Sequence, residues 1–360
     1  MLIRDYLHYA KGYYGTAATS DYVRIKPALK QLRDLYTDHD AADFGPVGYK
    51  AVRQTMIEAG LTRQGINSRM KKIIRAFKWA ASEGKIPPTT FETLRLIPSL
   101  KSGRTEAPDT KPVIPVDDAI VDATLACLSP IVADMVRLQR LLGCRPGEVC
   151  NLIPNSFDLT EDVWVAELIE HKTARHGHTR KIFVGPKAQA IILPYLDRES
   201  DEHLFRPCDV VAHRRQKDAA NRTTPLSCGN RPGKRSGGFR RGKFRKSPSE
   251  AYTTQTYRRA IHNACDRAFP APYPLCQAPG ESAAAWKRRL SDEQLKALKA
   301  WQSEHRWGPN RLRHSRGTEV RKTFGLEAAQ VTLGHRNANV TQVYAERNEE
   351  LGKRVAREAG

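Results

Sequence analysis

The sequence predicts a mainly α protein with a small antiparallel sheet, divided into two domains. Three observations carry this reading. Residues 1–100 show helical apolar spacing without a convincing strand, residues 101–116 lose all periodicity, and the helical pattern beyond them encloses two short strand-like segments between 163 and 184. A chain of 360 residues is long enough for two separate cores. The expected domains are 1–100 and 117–360. The segment between them, KSGRTEAPDTKPVIPV, mixes Pro, Gly, Ser, Thr and charge as linkers do.

In the first domain the clearest element is the helix expected over Asn67–Ala81. Met70, Ile73, Ile74, Phe77 and Ala81 recur at helical spacing and form one apolar face. Gly84, Pro87 and Pro88 close it. Arg69, Lys71, Lys72, Arg75 and Lys78 cover much of the remaining surface. On a neutral chain such cations would read as a solvated face. Here 60 Lys and Arg stand against 39 Asp and Glu, a net charge of +21, so contact with the phosphates of nucleic acid is the expectation.

In the second domain Asp117–Leu128 and Ile131–Leu142 read as helices, the latter closed by Gly143. Val163–Ile169 and Arg180–Val184 read as strands around a turn containing Gly177. Helices follow over Pro186–Leu196, Tyr252–Phe269 and Asp292–His305, the last N-capped by Ser291. The end reads as Pro309–Phe324, Leu326–Leu333, and a helix from Asn339 past Tyr344. Two insertions interrupt this pattern. Residues 211–247 hold twelve Lys or Arg against Asp218 alone, a net +11, with Gly and Ser between the charges. That composition cannot bury a core, and an unstructured, polyanion-seeking arm is expected. Residues 270–302 read as a Pro- and Cys-rich loop and a polar helix, with no legible role.

Several classes are argued against. No run of eighteen apolar residues exists to span a bilayer, and Met1–Tyr14 has no apolar stretch of the signal-peptide kind. The seven cysteines are odd in number, scattered and without a CxxC pair, which speaks against a disulfide framework or a zinc ribbon. A soluble, cytoplasmic, basic protein is the expectation.

Four segments of the second domain carry chemistry together. In Leu141-Leu-Gly-Cys-Arg-Pro-Gly-Glu-Val-Cys150, Arg145 lies just past a helix end with Glu148 three residues on. In His171-Lys-Thr-Ala-Arg-His-Gly-His-Thr-Arg180, Lys172 stands at a strand end. The third is Asn310-Arg-Leu-Arg313, and the fourth runs from Leu333-Gly-His335 to Tyr344. Two arginines suit phosphate, because the guanidinium stays protonated and its planar fork matches two oxygens.

Taken in this order, the segments resemble the tyrosine recombinases, or phage-type integrases. Their pattern is an Arg with Glu three residues later, a hairpin Lys, a His-x-x-Arg box, then Leu-Gly-His followed nine residues later by Tyr. The resemblance covers roughly 60–350. It implies a two-domain DNA clamp, a helical core-binding domain followed by a catalytic domain. Such a protein acts on double-stranded DNA as a homotetramer on paired sites, without metal, ATP or other cofactor, in a prokaryotic, nucleoid-associated setting. Tyr344 would attack, leaving a 3′-phosphotyrosyl link and a free 5′ hydroxyl. Arg145 and Arg313 would hold the scissile phosphate, Glu148 would orient Arg145, and Lys172 would protonate the leaving oxygen. His335 would bond the phosphate or hold Tyr344 in place.

One departure is plain. Asn310 stands where the box expects histidine, and asparagine donates a hydrogen bond but exchanges no proton near neutral pH. His305 lies five residues too early to replace it, and His314 reads as structural. His171, His176 and His178 read as DNA-facing or solvated rather than as metal ligands. Two rival readings remain open: a type IB topoisomerase acting as a monomer, and a DNA-binding regulator without catalysis, which Asn310 favours.

Overall fold

The computed structural model describes residues 1–17, 20–168, 180–223 and 247–334. The chain divides into two compact units, Met1–Pro112 and Val113–Gly360.

The N-terminal unit is built from α1 (Leu2–Tyr14), α2 (Asp21–Leu35), α3 (Pro46–Glu58), α4 (Arg63–Ser82) and α5 (Pro88–Arg95). Thr62 caps α4, its hydroxyl accepting from the Gly65 N–H at 3.3 Å. Ile66, Met70, Ile73, Phe77 and Ala80 recur every three or four residues and are buried, so α4 presents a continuous apolar stripe. Tyr6 and Ala10 of α1, Ile25 and Leu29 of α2, Val52 and Met56 of α3, and Leu94 of α5 complete the core. Ile74 and Ala81, expected on this face, lie half-buried at its edge, and Ala76 and Ala80 take the interior places. Small residues fit where neighbouring helices approach α4 from several sides.

The stretch of linker composition is ordered over much of its length. Arg63 donates its backbone N–H to the Pro108 carbonyl at 2.9 Å, and its guanidinium meets Asp109 at 2.5 Å. Asn67 exchanges two 2.9 Å hydrogen bonds with the Leu100 backbone, and Ala107 is buried. Tertiary bonds order a segment in which composition shows no periodicity.

The second unit contains α6 (Asp118–Leu125), α7 (Pro130–Leu142), α8 (Pro146–Cys150), β1 (Phe157–Asp158), β2 (Trp164–Leu168), β3 (Arg180–Val184), α9 (Pro186–Ile192), α10 (Pro207–Ala220), α11 (Thr254–Ala268), α12 (Ala283–Arg289), α13 (Asp292–His305) and α14 (Asn310–Leu333). The sheet is antiparallel in the order β1-β2-β3, with Leu168 opposite Arg180 and Ala166 opposite Ile182. Its buried residues Ala166, Leu168, Ile182 and Val184 share one core with Met135, Val136 and Leu142 of α7, Ile192 of α9, and Tyr257 and Ile261 of α11. Gly325, at φ +89°, breaks α14 where the sequence divides two helices.

Two expectations for the insertions need correction. The basic segment 211–247 is not structureless from its start, since α10 continues through Ala220. It is held at its beginning by Asp209, which accepts from Arg206 and Arg198, and by Val210 packing on the core. Its other cations lie mainly in 224–246, outside the described residues. The second insertion carries two helices, α12 and α13, rather than one, and Ser291 caps α13 by accepting from the Gln294 N–H at 3.2 Å.

Candidate active site

The turn after α7 is held by side chains at three successive residues. Gly143 ends the helix at φ +62°. Its carbonyl accepts from Arg313 Nη1 at 2.8 Å, and the Cys144 carbonyl accepts from Gln139 Nε2 at 3.1 Å. Gln139 is itself fixed by the Tyr257 hydroxyl, which donates to Oε1 at 3.0 Å. The Arg145 N–H donates to Glu148 Oε2 at 2.7 Å, closing the first turn of α8 with Pro146 at its first position.

Arg145 thereby leaves the turn in a defined direction. Its Nη1 donates to Glu148 Oε1 at 2.6 Å, and its side chain keeps 31% of its surface open. Glu148 is buried. Burial works to raise its carboxyl, but Arg180, the Arg145 N–H and the Arg145 guanidinium outweigh this and hold it below the usual carboxylate range.

Arg313 comes from the first turn of α14 and is fully buried. Its Nη2 donates to the Leu333 carbonyl at 2.7 Å, so one guanidinium joins the Gly143 turn to the far end of α14. The start of α14 is anchored on the segment entering the unit. Arg311 donates to the Ile114 and Pro115 carbonyls, and Ser315 exchanges two 3.0 Å bonds with the Val116 backbone.

Of the residues singled out from sequence, Arg145, Glu148 and Arg313 are therefore brought together. Asn310 opens α14, half-buried and less than one turn before Arg313. Lys172, His335 and Tyr344, and with them His171, His176 and His178, lie outside the described residues. His305 is engaged elsewhere, stacked on Trp301 at 3.8 Å with Nδ1 2.9 Å from the Trp301 carbonyl. His314 is buried and pushed down to about 4, first by burial and then by Arg313 and Arg311, so it is neutral at pH 7. Among the described residues no group of His, Cys, Asp and Glu converges as a metal site.

Sequence reasoning missed Gln139, Tyr257 and Arg180. The alternation of β3 carries a signal for the last: Arg180, Ile182 and Val184 share the buried face, and an arginine in phase with two core residues is out of place unless it has partners.

The five cations of α4 fall into two groups. Arg75 pairs with Asp21 at 2.7 Å and lies 4.9 Å over the Tyr14 ring, Lys72 is 3.8 Å from Asp21, and Arg69 donates to Gln31 at 3.3 Å. Lys71 and Lys78 are exposed.

No protein-family model matches the sequence and no curated protein matches it. Solved structures match in fold. The integrase of transposon Tn1549 in complex with transposon right end DNA aligns with a TM-score of 0.56 at 14% identity, covering 100% of both chains. The same integrase with circular intermediate DNA gives 0.52 at 16%, covering 96% of this chain and 97% of that one. A lambda integrase dimer bound to a COC′ core site gives 0.50 at 12%, covering 95% and 93%. The chain has the tyrosine-recombinase fold.

Proposed function

We propose that the protein is a site-specific DNA recombinase that cleaves and rejoins strands through a covalent 3′-phosphotyrosyl intermediate on Tyr344. The observation that carries this reading is the meeting of Arg145, Glu148 and Arg313 at one turn, beside the point where the chain passes Gly334 toward His335 and Tyr344. Arg145 and Arg313 would bind the scissile phosphate and stabilise the charge that grows on its oxygens. Lys172 would protonate the 5′ leaving oxygen, and His335 and Asn310 would donate hydrogen bonds to the phosphate. Transesterification would conserve the energy of the broken bond, so ATP is not required, and the two guanidinium forks would supply the charge stabilisation that a metal gives in other nucleases. The solved integrases of the same fold are DNA complexes, which supports double-stranded DNA as substrate. The N-terminal unit would serve as the core-binding domain, through Arg69, Lys71, Lys72, Arg75 and Lys78 of α4, and four copies would act on paired sites.

The test uses duplexes selected from a random pool for retention by the protein, then nicked so that a cleaved strand end is lost. Wild-type protein is expected to form an adduct whose linked residue maps to Tyr344 by mass spectrometry. Tyr344→Phe is expected to retain the duplexes and form none, because only the hydroxyl is removed. An adduct on another residue overturns the assignment. Retention without any wild-type adduct favours the second reading, a DNA-binding regulator, to which Asn310 in the histidine position points.

A further inference from the structure

Arg180 ends the second segment but has no role in the four-segment reading, yet its side chain reaches both Glu148 of the turn and the end of α14. It is only 5% exposed and occupies a position on β3 that Ile182 and Val184 continue as apolar. Its Nε lies 3.6 Å from Glu148 Oε2, its Nη1 donates to the Lys181 carbonyl at 2.6 Å, and its Nη2 donates to the Thr332 carbonyl at 3.2 Å. Gly334, at φ +62°, lies directly against the guanidinium, and a Cβ there would overlap it. Three parts of the chain that are far apart in sequence thus meet on one planar group: the Arg145–Glu148 turn, the start of β3, and the last turn of α14.

Stability alone does not ask for an arginine here. Desolvating a guanidinium is costly, and an apolar side chain would continue the face of β3 without that cost. An arginine does two things that an apolar residue cannot. It places a second cation beside Glu148, next to the oxygen that accepts from the Arg145 N–H, and it takes up a terminal carbonyl of α14, where the helix dipole favours a cation.

We propose that Arg180 is a positioning residue for strand cleavage, acting through Glu148 on the fork of Arg145 and through Thr332 and Gly334 on the chain leading to His335 and Tyr344. The inference rests on the recombinase reading above and deepens it. Arg180 touches no substrate in this account. It sets the relative placement of groups that do.

The test uses the full chain and the selected nicked duplexes, with Arg180→Lys, which keeps the charge and loses the fork. Three quantities are measured: duplex retention, the single-turnover rate of adduct formation at saturating protein, and amide hydrogen exchange in peptides covering 326–334. Arg180→Lys is expected to retain duplex as wild type does and to form adduct roughly tenfold to a hundredfold more slowly, as slight misplacement of reacting groups does. Its amides near Thr332–Gly334 are expected to exchange faster. A folded Arg180→Lys with wild-type adduct rate overturns the proposal, because a merely structural arginine would show only a change in melting. Should that variant fail to fold, Arg180→Met combined with Glu148→Gln removes both charges and strands neither. Measured against Glu148→Gln alone, it is expected to slow adduct formation further and to speed exchange at Thr332–Gly334, and no change in either overturns the proposal. A wild-type chain that forms no adduct overturns the recombinase reading itself, whereas an unaltered Arg180→Lys rate beside an active wild type overturns only the role of Arg180.

Discussion

Two arginines, one in each unit, are held in opposite ways. Arg75 in the N-terminal unit pairs with a carboxylate, Asp21, and lies over Tyr14 with part of its side chain in water. Arg313 in the second unit is fully buried and gives its described hydrogen bonds to two backbone carbonyls, those of Gly143 and Leu333. The partner of Arg75 is a carboxylate on a neighbouring helix, whereas the two carbonyls that Arg313 meets fix the plane of its guanidinium. The first arrangement fastens α4 to α2. The second holds a buried guanidinium in a fixed direction, the preorganisation that the proposed phosphate-binding role of Arg313 requires. Residue type does not separate the two roles; the partner and the access of water do.

Arg313→Ala should break this contrast most visibly. Strand cleavage should slow about a hundredfold or more, as when one oxyanion donor is lost. Two buried carbonyls would also lose their donor, at about 1–3 kcal/mol each. Arg145→Ala should show the same loss of rate with a smaller loss of stability, since its side chain is partly in water. Arg75→Ala should leave single-turnover cleavage intact and lower stability by on the order of 1 kcal/mol or less. Adduct kinetics beside urea unfolding would measure all three, and near-normal cleavage by Arg313→Ala would erase the distinction.

The pH dependence of stability sharpens the same point. His314 is held at about 4 against 6.5 for a free histidine, so between those values the unfolded chain binds the extra proton. Its contribution is complete above pH 6.5 and is lost as pH falls toward 4, on the order of 3 kcal/mol in all. Glu148 is also depressed, so its contribution is present above the free carboxyl value of 4.5 and is lost only as pH falls through its lower folded value. Unfolding followed from pH 8 to pH 3 should show two successive losses. His314→Gln should flatten the upper one, and an unchanged upper limb would show that His314 is not neutral in the fold.

Salt dependence tests the surface cations. Deleting Arg231–Lys246 should flatten the slope of log affinity against log salt on specific and random duplexes alike, since a Gly- and Ser-spaced arm meets phosphate rather than base edges. An unaltered slope would mean that the arm only solubilises. A selective loss on specific duplex would mean that it reads bases. The smallest effect expected is from Lys71→Ala and Lys78→Ala, each lowering the slope by about 0.9 for one phosphate contact, with no change in melting. Arg75→Ala should lower it less, because Asp21 already holds that guanidinium. Equal slopes for the three variants would show that the pairing seen on α4 does not persist on DNA.

Much of the fold was legible because its signals are local. The stripe of α4, the Gly143 stop, the Ser291 cap, the bounds of β3 and the break at Gly325 each follow from a few adjacent residues. The first helical turns of the basic arm were not, because α10 owes its start to Arg206, Asp209 and Arg198, a set of contacts that no charge count reveals. In the candidate site, the types of Arg145, Glu148 and Arg313 were legible from spacing. Gln139 and Tyr257 were not, since a polar side chain in an apolar helical stripe looks like an ordinary irregularity until its buried partner is known.

Sequence alone determined the courses of α4, α7, α11 and α13, the break at Gly325, and the order in which Arg145, Glu148 and Arg313 stand along the chain. Those properties depend on backbone preferences and on neighbours within a turn or two. Only the tertiary structure decided which cations are tied down and which stay open. It joined Arg313 to Gly143 across 170 residues and Arg180 to Thr332 across 152. Whether a guanidinium faces a carboxylate, a carbonyl or water is set by what the rest of the fold brings against it, and no periodicity in the sequence encodes that meeting.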